Sequence, residues 1–479
     1  MTFNSFEYFI FLPVVFMLYW FVFNKSGKSQ NILLVLASVF FYCWADWRFL
    51  ALVIINALFN YYMGISIAGA KKEKTQKHLL WAGVAFNIVI LGYFKYFNFF
   101  YDSFVDMLNF FGSHANPSSL KLLLPLGISF FTFQTLGYLI DIYNYNIKPS
   151  RNLLAFSTYV IYFPKIIAGP IERAQKFLPQ IEGKRTFDQD MAIDGLRQML
   201  WGLFAKIVLA DNLFPVVHGI FSNSGSETGS TLFMGLILST IQVYFDFAGY
   251  SNIAIGTSKL FGIRLMKNFD TPFFSTNISD FWNRWHISLS SWMLDYLFTP
   301  LSFVLRKRKK KGLILSIMIT FIVVGFWHGA NWTFIVFGIL NGIYYIPLIL
   351  KGKVIKSSLG GSSKIFPSVT EFVQMLGLFL LLSVTIIFFW VNNIAEAFTY
   401  LSHVFSPSFF VLPDLKRVVY IIPAIIIFFV IEWMTRDKDH PLQFSGQPVY
   451  LRWGSYLIIG FVVLLAFEKD PNAFIYLQF

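Results

Sequence analysis

An all-α polytopic membrane protein is the fold class this sequence predicts, and three observations predict it. The 479-residue chain is 56% hydrophobic and 13% charged, where a soluble domain carries about 25% charged residues. Apolar runs of about 17–25 residues, enough to cross a ~30 Å hydrocarbon core as helix, recur from end to end. Lysines and arginines gather in the short connections between these runs, the alternation expected of a multi-pass topology. Aromatic side chains reach 20%, including 59 Phe, as expected of a surface that meets lipid.

Taken in order, Tyr8–Phe23 is a first apolar run with Glu7 and no Lys or Arg ahead of it. It is expected to be a retained span rather than a cleaved signal. Asn31–Trp47 and Phe49–Ile67 form a hairpin followed by Lys71, Lys72, Lys74 and Lys77. Leu79–Phe100 leads to a connection without Lys or Arg before Lys121, and Leu122–Tyr143 returns to Lys148 and Arg151. Gly195–Val217 runs to the Gly/Ser-rich loop Ser222–Ser230, and Leu232–Leu260 returns to Arg264 and Lys267. Leu313–Phe326 and Trp332–Leu350 form a pair; Phe372–Val391, Val418–Trp433 and Tyr450–Phe467 complete the series.

About 11–13 transmembrane helices are therefore expected. The charged connections mark the cytoplasmic side and put the N-terminus outside it; Lys416 and Arg417, at the end of an outer loop, are the exception. No internal repeat or long linker divides the chain, so 1–479 is read as a single integral-membrane domain. Its N-terminal spans cover 1–120, a motif-bearing core 121–350, and C-terminal spans 351–479. The longest polar connection, Lys351–Ser368, is read as a cytoplasmic loop.

Three stretches do not read as plain spans. Leu153–Ala168 is apolar but contains Pro164 and Lys165 and runs into Gly169-Pro170. Irregular backbone at membrane depth is tolerated only inside protein or along a cavity, so a re-entrant segment from the cytoplasm is expected. Asn277–Pro300 mixes apolar residues with Asp280, Arg284, His286 and Asp295, which suggests a tilted or partly buried helix at the inner interface. The third is Phe326–Trp332, inside an apolar run, Leu313–Leu350, that holds one imidazole and no charged side chain. That run looks too short for two perpendicular spans plus an outer loop, so the chain is expected to break at Gly329 and dip inward, with His328 lining a cavity.

Several function classes are unsupported. Net charge is +13, but basic residues placed between apolar runs imply membrane lipid rather than nucleic acid as the partner. The densest cluster, Arg306–Lys311, is expected against anionic headgroups. The single cysteine, Cys43, excludes an intramolecular disulfide and a multi-Cys metal site. With no HExxH or Cys/His cluster, no metal is expected. No P-loop, GxSxG elbow or Rossmann fingerprint appears, so nucleotide hydrolysis is unsupported.

A titratable group in hydrocarbon is costly and usually faces a protein interior or a water-filled cavity. Two readings of His328 stand side by side: a hydrogen-bonded packing histidine, or a base reached through a polar opening. His286 lies in a second aromatic-rich segment. His78, His114, His218, His403 and His440 are expected at solvated positions. Asp246, Lys206 and Asp211 lie on apolar spans, where an ion pair or backbone hydrogen bond is the first expectation. A neutral histidine needs no nucleotide site to move an acyl group: it can take a hydroxyl proton while the oxygen attacks an activated acyl carbon.

Four stretches carry a resemblance: Phe163-Pro164-Lys165-Ile166-Ile167-Ala168-Gly169-Pro170-Ile171, Tyr244-Phe245-Asp246-Phe247-Ala248-Gly249-Tyr250-Ser251, Asp280 through Ser290, and Phe326-Trp327-His328-Gly329-Ala330-Asn331-Trp332-Thr333. In this order they resemble the membrane-bound O-acyltransferase (MBOAT) family, in its bacterial branch of polysaccharide O-acetyltransferase membrane subunits. The resemblance implies a helical membrane enzyme around a central tunnel. His328 matches the catalytic histidine of the family and His286 its second histidine, whose place is taken by Asn in many eukaryotic members. Asp246, Arg284, Trp285, Trp327, Asn331, Lys165, Gly169 and Pro170 sit in matching motifs as supports of the site or tunnel.

The resemblance further implies acetyl-CoA as the donor substrate, with no permanently bound cofactor. It implies a place in the bacterial cytoplasmic membrane and an extracytoplasmic acetyltransferase partner, SGNH-hydrolase-like, that finishes transfer to an exported or cell-surface polysaccharide of alginate type. Peptidoglycan or teichoic acid is the alternative acceptor. A transporter without covalent chemistry lacks the paired broken helices it would need.

Overall fold

The computed structural model describes residues 1–112, 122–352, 366–444 and 446–467. His114, Lys121 and most of the Lys351–Ser368 connection lie outside the described residues. Every regular element among the described residues is helical. Among the described residues, seven helical stretches are long and apolar enough to cross a membrane: Gly27–Gly69, Glu73–Phe110, Gln189–Ser222, Gly229–Leu260, Arg306–His328, Trp332–Leu350 and Val369–Phe389. Phe6–Val22, Ile422–Met434 and Val449–Leu465 are shorter apolar helices. Each span read from the sequence meets one of these or the helix Ile128–Tyr143. Gly27–Gly69 carries two, because Asp46 leaves the helical conformation (φ −160°, ψ 100°) and its side chain accepts from the Arg48 amide.

The chain forms two compact units. The first comprises Met1–Thr2, Phe6–Ala192 and Ser258–Leu265; the second comprises Phe3–Ser5, Ile193–Thr257 and the chain from Met266 onward. In the first unit, Asn56, Asn60, Asn87 and Thr135 are fully buried and hydrogen-bond across three helices. Between helices that share an apolar environment, such amides supply the specific contacts that hydrophobicity cannot.

The re-entrant reading meets a broken segment in this unit. A nine-residue helix, Leu153–Ile161, ends where Tyr162 turns away (φ −46°, ψ 114°). Helix resumes at Ala174–Glu182. The irregular backbone between them is buried from Tyr162 through Glu172, as an environment without water demands.

In the second unit, glycines bring Gln189–Ser222 and Gly229–Leu260 together. A Cβ on Gly202 would lie 2.7 Å from the Gly249 carbonyl oxygen, and one on Gly256 2.5 Å from that of Gly195. This is the close backbone approach of small residues typical of membrane helices. Lys309–His328 and Trp332–Leu350 form a tight hairpin. Gly325 and Gly338 sit where a Cβ would strike the Phe334 and Phe321 carbonyls.

The chain does break at Gly329 (φ −161°, ψ 153°), and the helix before it is longer than the apolar run predicts. The first helix begins back at Lys309 and has 20 residues, the second has 19, and only Gly329, Ala330 and Asn331 connect them. At 1.5 Å per residue each helix reaches about 30 Å.

Asn277–Pro300 also departs from expectation. It is not one tilted helix but a series: Ile278–Arg284, Ile287–Met293, the wider π-helical turn Leu294–Phe298, and Thr299–Val304. The break lies at Trp285 and His286, whose extended (φ −99°, ψ 127°) and left-handed (φ 44°, ψ 53°) backbones cannot continue a right-handed helix, and from Ile287 to Val304 the helical turns follow one another without interruption. Arg417, the exception to the expected charge alternation, is paired with Glu227 at 2.7 Å and Asp414 at 3.0 Å.

Candidate functional site

His328 is the last residue of its helix and is 3% exposed. Its ring lies 5.2 Å from that of Phe389 and 5.9 Å from that of Phe337, centroid to centroid. It borders a cavity of about 30 Å³ whose wall includes Trp282, Trp285, Phe273, Phe389 and Asn341. That is room for about two water molecules. The wall is almost entirely apolar, so a polar reactant inside would meet little competing water.

The turn that presents His328 is held by Asn331. Its side chain caps the second helix of the hairpin by accepting from the Thr333 amide at 3.0 Å, and its amide nitrogen donates to the Asn392 carbonyl at 2.8 Å. Gly329 is required here because a Cβ would enter the Phe334 ring. Asn341, fully buried, accepts from Trp282 Nε1 at 3.3 Å and donates to the Phe337 carbonyl. Sequence reasoning missed it, although a lone amide in an apolar run was the available signal.

His286 occupies a different environment. It is fully buried, and its Nδ1 accepts from the Leu289 amide at 3.2 Å as a helix N-cap. Its ring packs 4.6 Å from Phe247 and 5.6 Å from Trp327. Desolvation holds its pKa well below the ordinary imidazole value. Trp327 stands between the two histidines, 5.1 Å from His328. The structure thus brings His286, Trp327 and His328 into one aromatic cluster, but only His328 borders the cavity.

Asp246 is 1% exposed and pairs with Lys206 at 2.6 Å; Lys206 also reaches Asp211 at 2.7 Å. Asn4 donates to the second oxygen of Asp211. This is the buried ion pair expected from the sequence. Lys206 lies in a seven-residue π-helical turn, Phe204–Ala210, a distortion that accompanies many functional or strained positions. Arg284 pairs with Asp280 at 3.0 Å and donates to the Asp270 carbonyl at 3.3 Å. It clamps the loop before the cavity-lining Trp285.

Lys165, Gly169 and Pro170 belong to the first unit and form a buried knot there. Lys165 donates to Gln134 Oε1 and to the Tyr159 carbonyl at 2.5 Å. Its ammonium stands over the Tyr159 and Phe177 rings. Gly169 lets the backbone curl onto Lys165, since a Cβ there would strike the Lys165 backbone. Of the histidines expected at solvated positions, His78 and His218 are exposed and His403 is half-buried. His440 contradicts the expectation: it is 2% exposed, with Nε2 2.9 Å from Asp194 Oδ1, because the chain after Met434 folds onto the Gln189–Leu203 helix. No cluster of metal-ligating residues occurs among the described residues.

The sequence was compared with known proteins. A family model described as MBOAT, membrane-bound O-acyltransferase family, matches residues 39–391. A probable alginate O-acetylase of Azotobacter vinelandii is 38% identical over 343 residues, covering 70% of this chain and 66% of that protein. The protein of the same name in Pseudomonas aeruginosa is 35% identical over 412 residues, 85% of this chain and 75% of that one. A peptidoglycan O-acetyltransferase of Helicobacter pylori is 35% identical over 366 residues, 70% and 68% respectively. With its apolar helices and a match across most of its length, the chain belongs to the membrane-bound O-acyltransferase family, multi-pass membrane proteins whose chemistry is O-acyl transfer.

Proposed function

We propose that this protein transfers an acetyl group from cytoplasmic acetyl-CoA across a bacterial cytoplasmic membrane, for O-acetylation of an exported or cell-surface polysaccharide. His328 is the general base. The observation that carries this reading is a buried imidazole at the wall of a small apolar cavity, on a turn fixed by Asn331 and Gly329. The ring takes the proton of the acceptor hydroxyl, and the oxygen attacks the thioester carbonyl carbon. The carbon–sulfur bond breaks, and the leaving thiolate recovers the proton from the imidazolium. The carbonyl end of the Lys309–His328 helix favours positive charge on the ring during that step. Alignment of the two reactants in a dry pocket supplies several kcal/mol of the barrier reduction, about 7–11 at best.

The acceptor carries alginate-like chemistry by analogy to the alginate O-acetylases that the chain resembles, and an extracytoplasmic SGNH-hydrolase-like acetyltransferase completes the transfer. The Helicobacter relative's name supports peptidoglycan as the second reading. The test is the mass of surface polymers from a wild-type strain and a His328→Ala strain. Acetylated polysaccharide should vanish in the variant; near-normal acetylation refutes the base, and loss of acetyl groups from peptidoglycan alone selects the second reading.

A further inference from the structure

We propose that Glu432 is a positioning residue for the acyl-transfer site and acts through Tyr244. The inference rests on the reading of His328 as the base. Glu432 is the one carboxylate of the apolar helix Ile422–Met434, and it lies beyond residues 39–391, the stretch that the family model matches. It is 6% exposed. A carboxyl group at such a place is expensive unless it is hydrogen-bonded, and here the Tyr244 hydroxyl donates to Glu432 Oε1 at 2.6 Å. That is a short O–H···O hydrogen bond.

The bond fixes the far end of an aromatic side chain that braces the cavity. The Tyr244 ring lies 5.0 Å from the ring of Phe273 and 6.0 Å from that of Trp285, and both of those rings wall the cavity beside His328. The residue before Tyr244, Val243, contributes to the same wall. With a cavity of only about 30 Å³, a shift of one wall ring changes the space available to the reacting groups. Misplacement by about 1 Å far from the chemistry can lower a rate by about a hundredfold. Glu432 itself does not line the cavity. It sets the position of Tyr244, and Tyr244 sets Phe273 and Trp285.

The test uses membranes carrying the full-length protein, labelled acetyl-CoA as donor, and kcat and KM for release or transfer of the label. Tyr244→Phe and Glu432→Leu should each lower kcat by about ten- to a hundredfold, with KM for acetyl-CoA changed less than about threefold. The double variant should be no slower than the slower single, because both break one bond. Glu432→Gln, whose carbonyl still accepts from the phenol, should stay within about threefold of wild type.

Multiplying effects in the double variant, an unchanged rate in Glu432→Leu, or a Glu432→Gln rate as low as that of Glu432→Leu each overturn the proposal. Should Glu432→Leu not accumulate in the membrane, Glu432→Gln alone against Tyr244→Phe/Glu432→Gln carries the test, with loss expected only when the phenol is removed. His328→Ala runs alongside. If it keeps activity, the base assignment fails, and the Tyr244–Glu432 coupling is still read from the cycle.

Discussion

Lys165 and His328 are both buried titratable side chains in apolar stretches where a helix ends, yet their surroundings differ. The Lys165 ammonium is satisfied by the chain itself: Gln134, the Tyr159 carbonyl and two aromatic faces. His328 is equally buried but borders open volume walled by rings. A costly group at a helix break is therefore not by itself a site. Where its bonds close on the chain it acts as a strut, and where it borders space it can meet a reactant. The same division separates the two histidines, since His286 caps a helix behind the wall that His328 helps to form.

The largest effects should divide along that line. His328→Ala should lower acetyl transfer by about 10²–10⁴-fold, while the protein accumulates and unfolds at the wild-type temperature. Lys165→Met keeps the length of the side chain but removes the donor from Gln134 and the Tyr159 carbonyl. Its effect should appear as lost folded protein, on the order of 1–3 kcal/mol, with kcat per folded molecule nearly kept. Detergent-extracted thermal unfolding, set beside transfer of label from acetyl-CoA, separates the two. A stable Lys165→Met protein with kcat as low as that of His328→Ala would erase the distinction between strut and base.

The hairpin that carries His328 gives an intermediate effect. A Cβ at Gly338 meets backbone, the Phe321 carbonyl and Ile322 Cα, whereas one at Gly342 meets the end of the flexible Met318 side chain at 2.8 Å. Gly338→Ala should force the two helices apart, costing about 1–3 kcal/mol and lowering transfer with it. Gly342→Ala should do neither to a comparable degree. Equal losses in both variants would show that the hairpin yields as a whole and that backbone contact does not set the position of His328.

Much of this was legible in the sequence because it depends on periodicity and cost. The apolar runs located every span that the helices meet, and the price of a lone imidazole in hydrocarbon singled out His328. That Lys206 and Asp246 are bonded rather than bare followed from the same rule, since buried charges are paired or hydrogen-bonded, although which partner each takes did not. What was not legible depends on chain segments far apart in sequence. Glu432 finds Tyr244 across 188 residues, and His440 finds Asp194 across 246; no local pattern encodes either. The full length of the helix that ends at His328 is not legible because its first turn, Lys309–Lys311, is basic and lies outside the apolar run. The left-handed backbone of His286 has no sequence signal, because positive φ is uncommon for any non-glycine residue, even for the enriched Asn, Asp and His.

His286 offers the smallest and most discriminating effect. Its Nδ1 accepts from the Leu289 amide, a role that an Asn side-chain oxygen can also perform, and Asn tolerates the left-handed backbone better than most residues. Its ring also fills the space between Phe247 and Trp327. His286→Asn should therefore retain acetyl transfer within about threefold of wild type. His286→Ala loses a cap worth about 1 kcal/mol and places a Cβ-bearing residue at φ 44° with no compensating bond, so it should be both less stable and slower than the Asn variant. The order Asn above Ala is what a capping and bracing residue requires. The reverse order, or an Asn variant as inactive as His328→Ala, would mean that the imidazole itself takes part in the chemistry, and that the reactive volume extends past Trp327 to the second histidine.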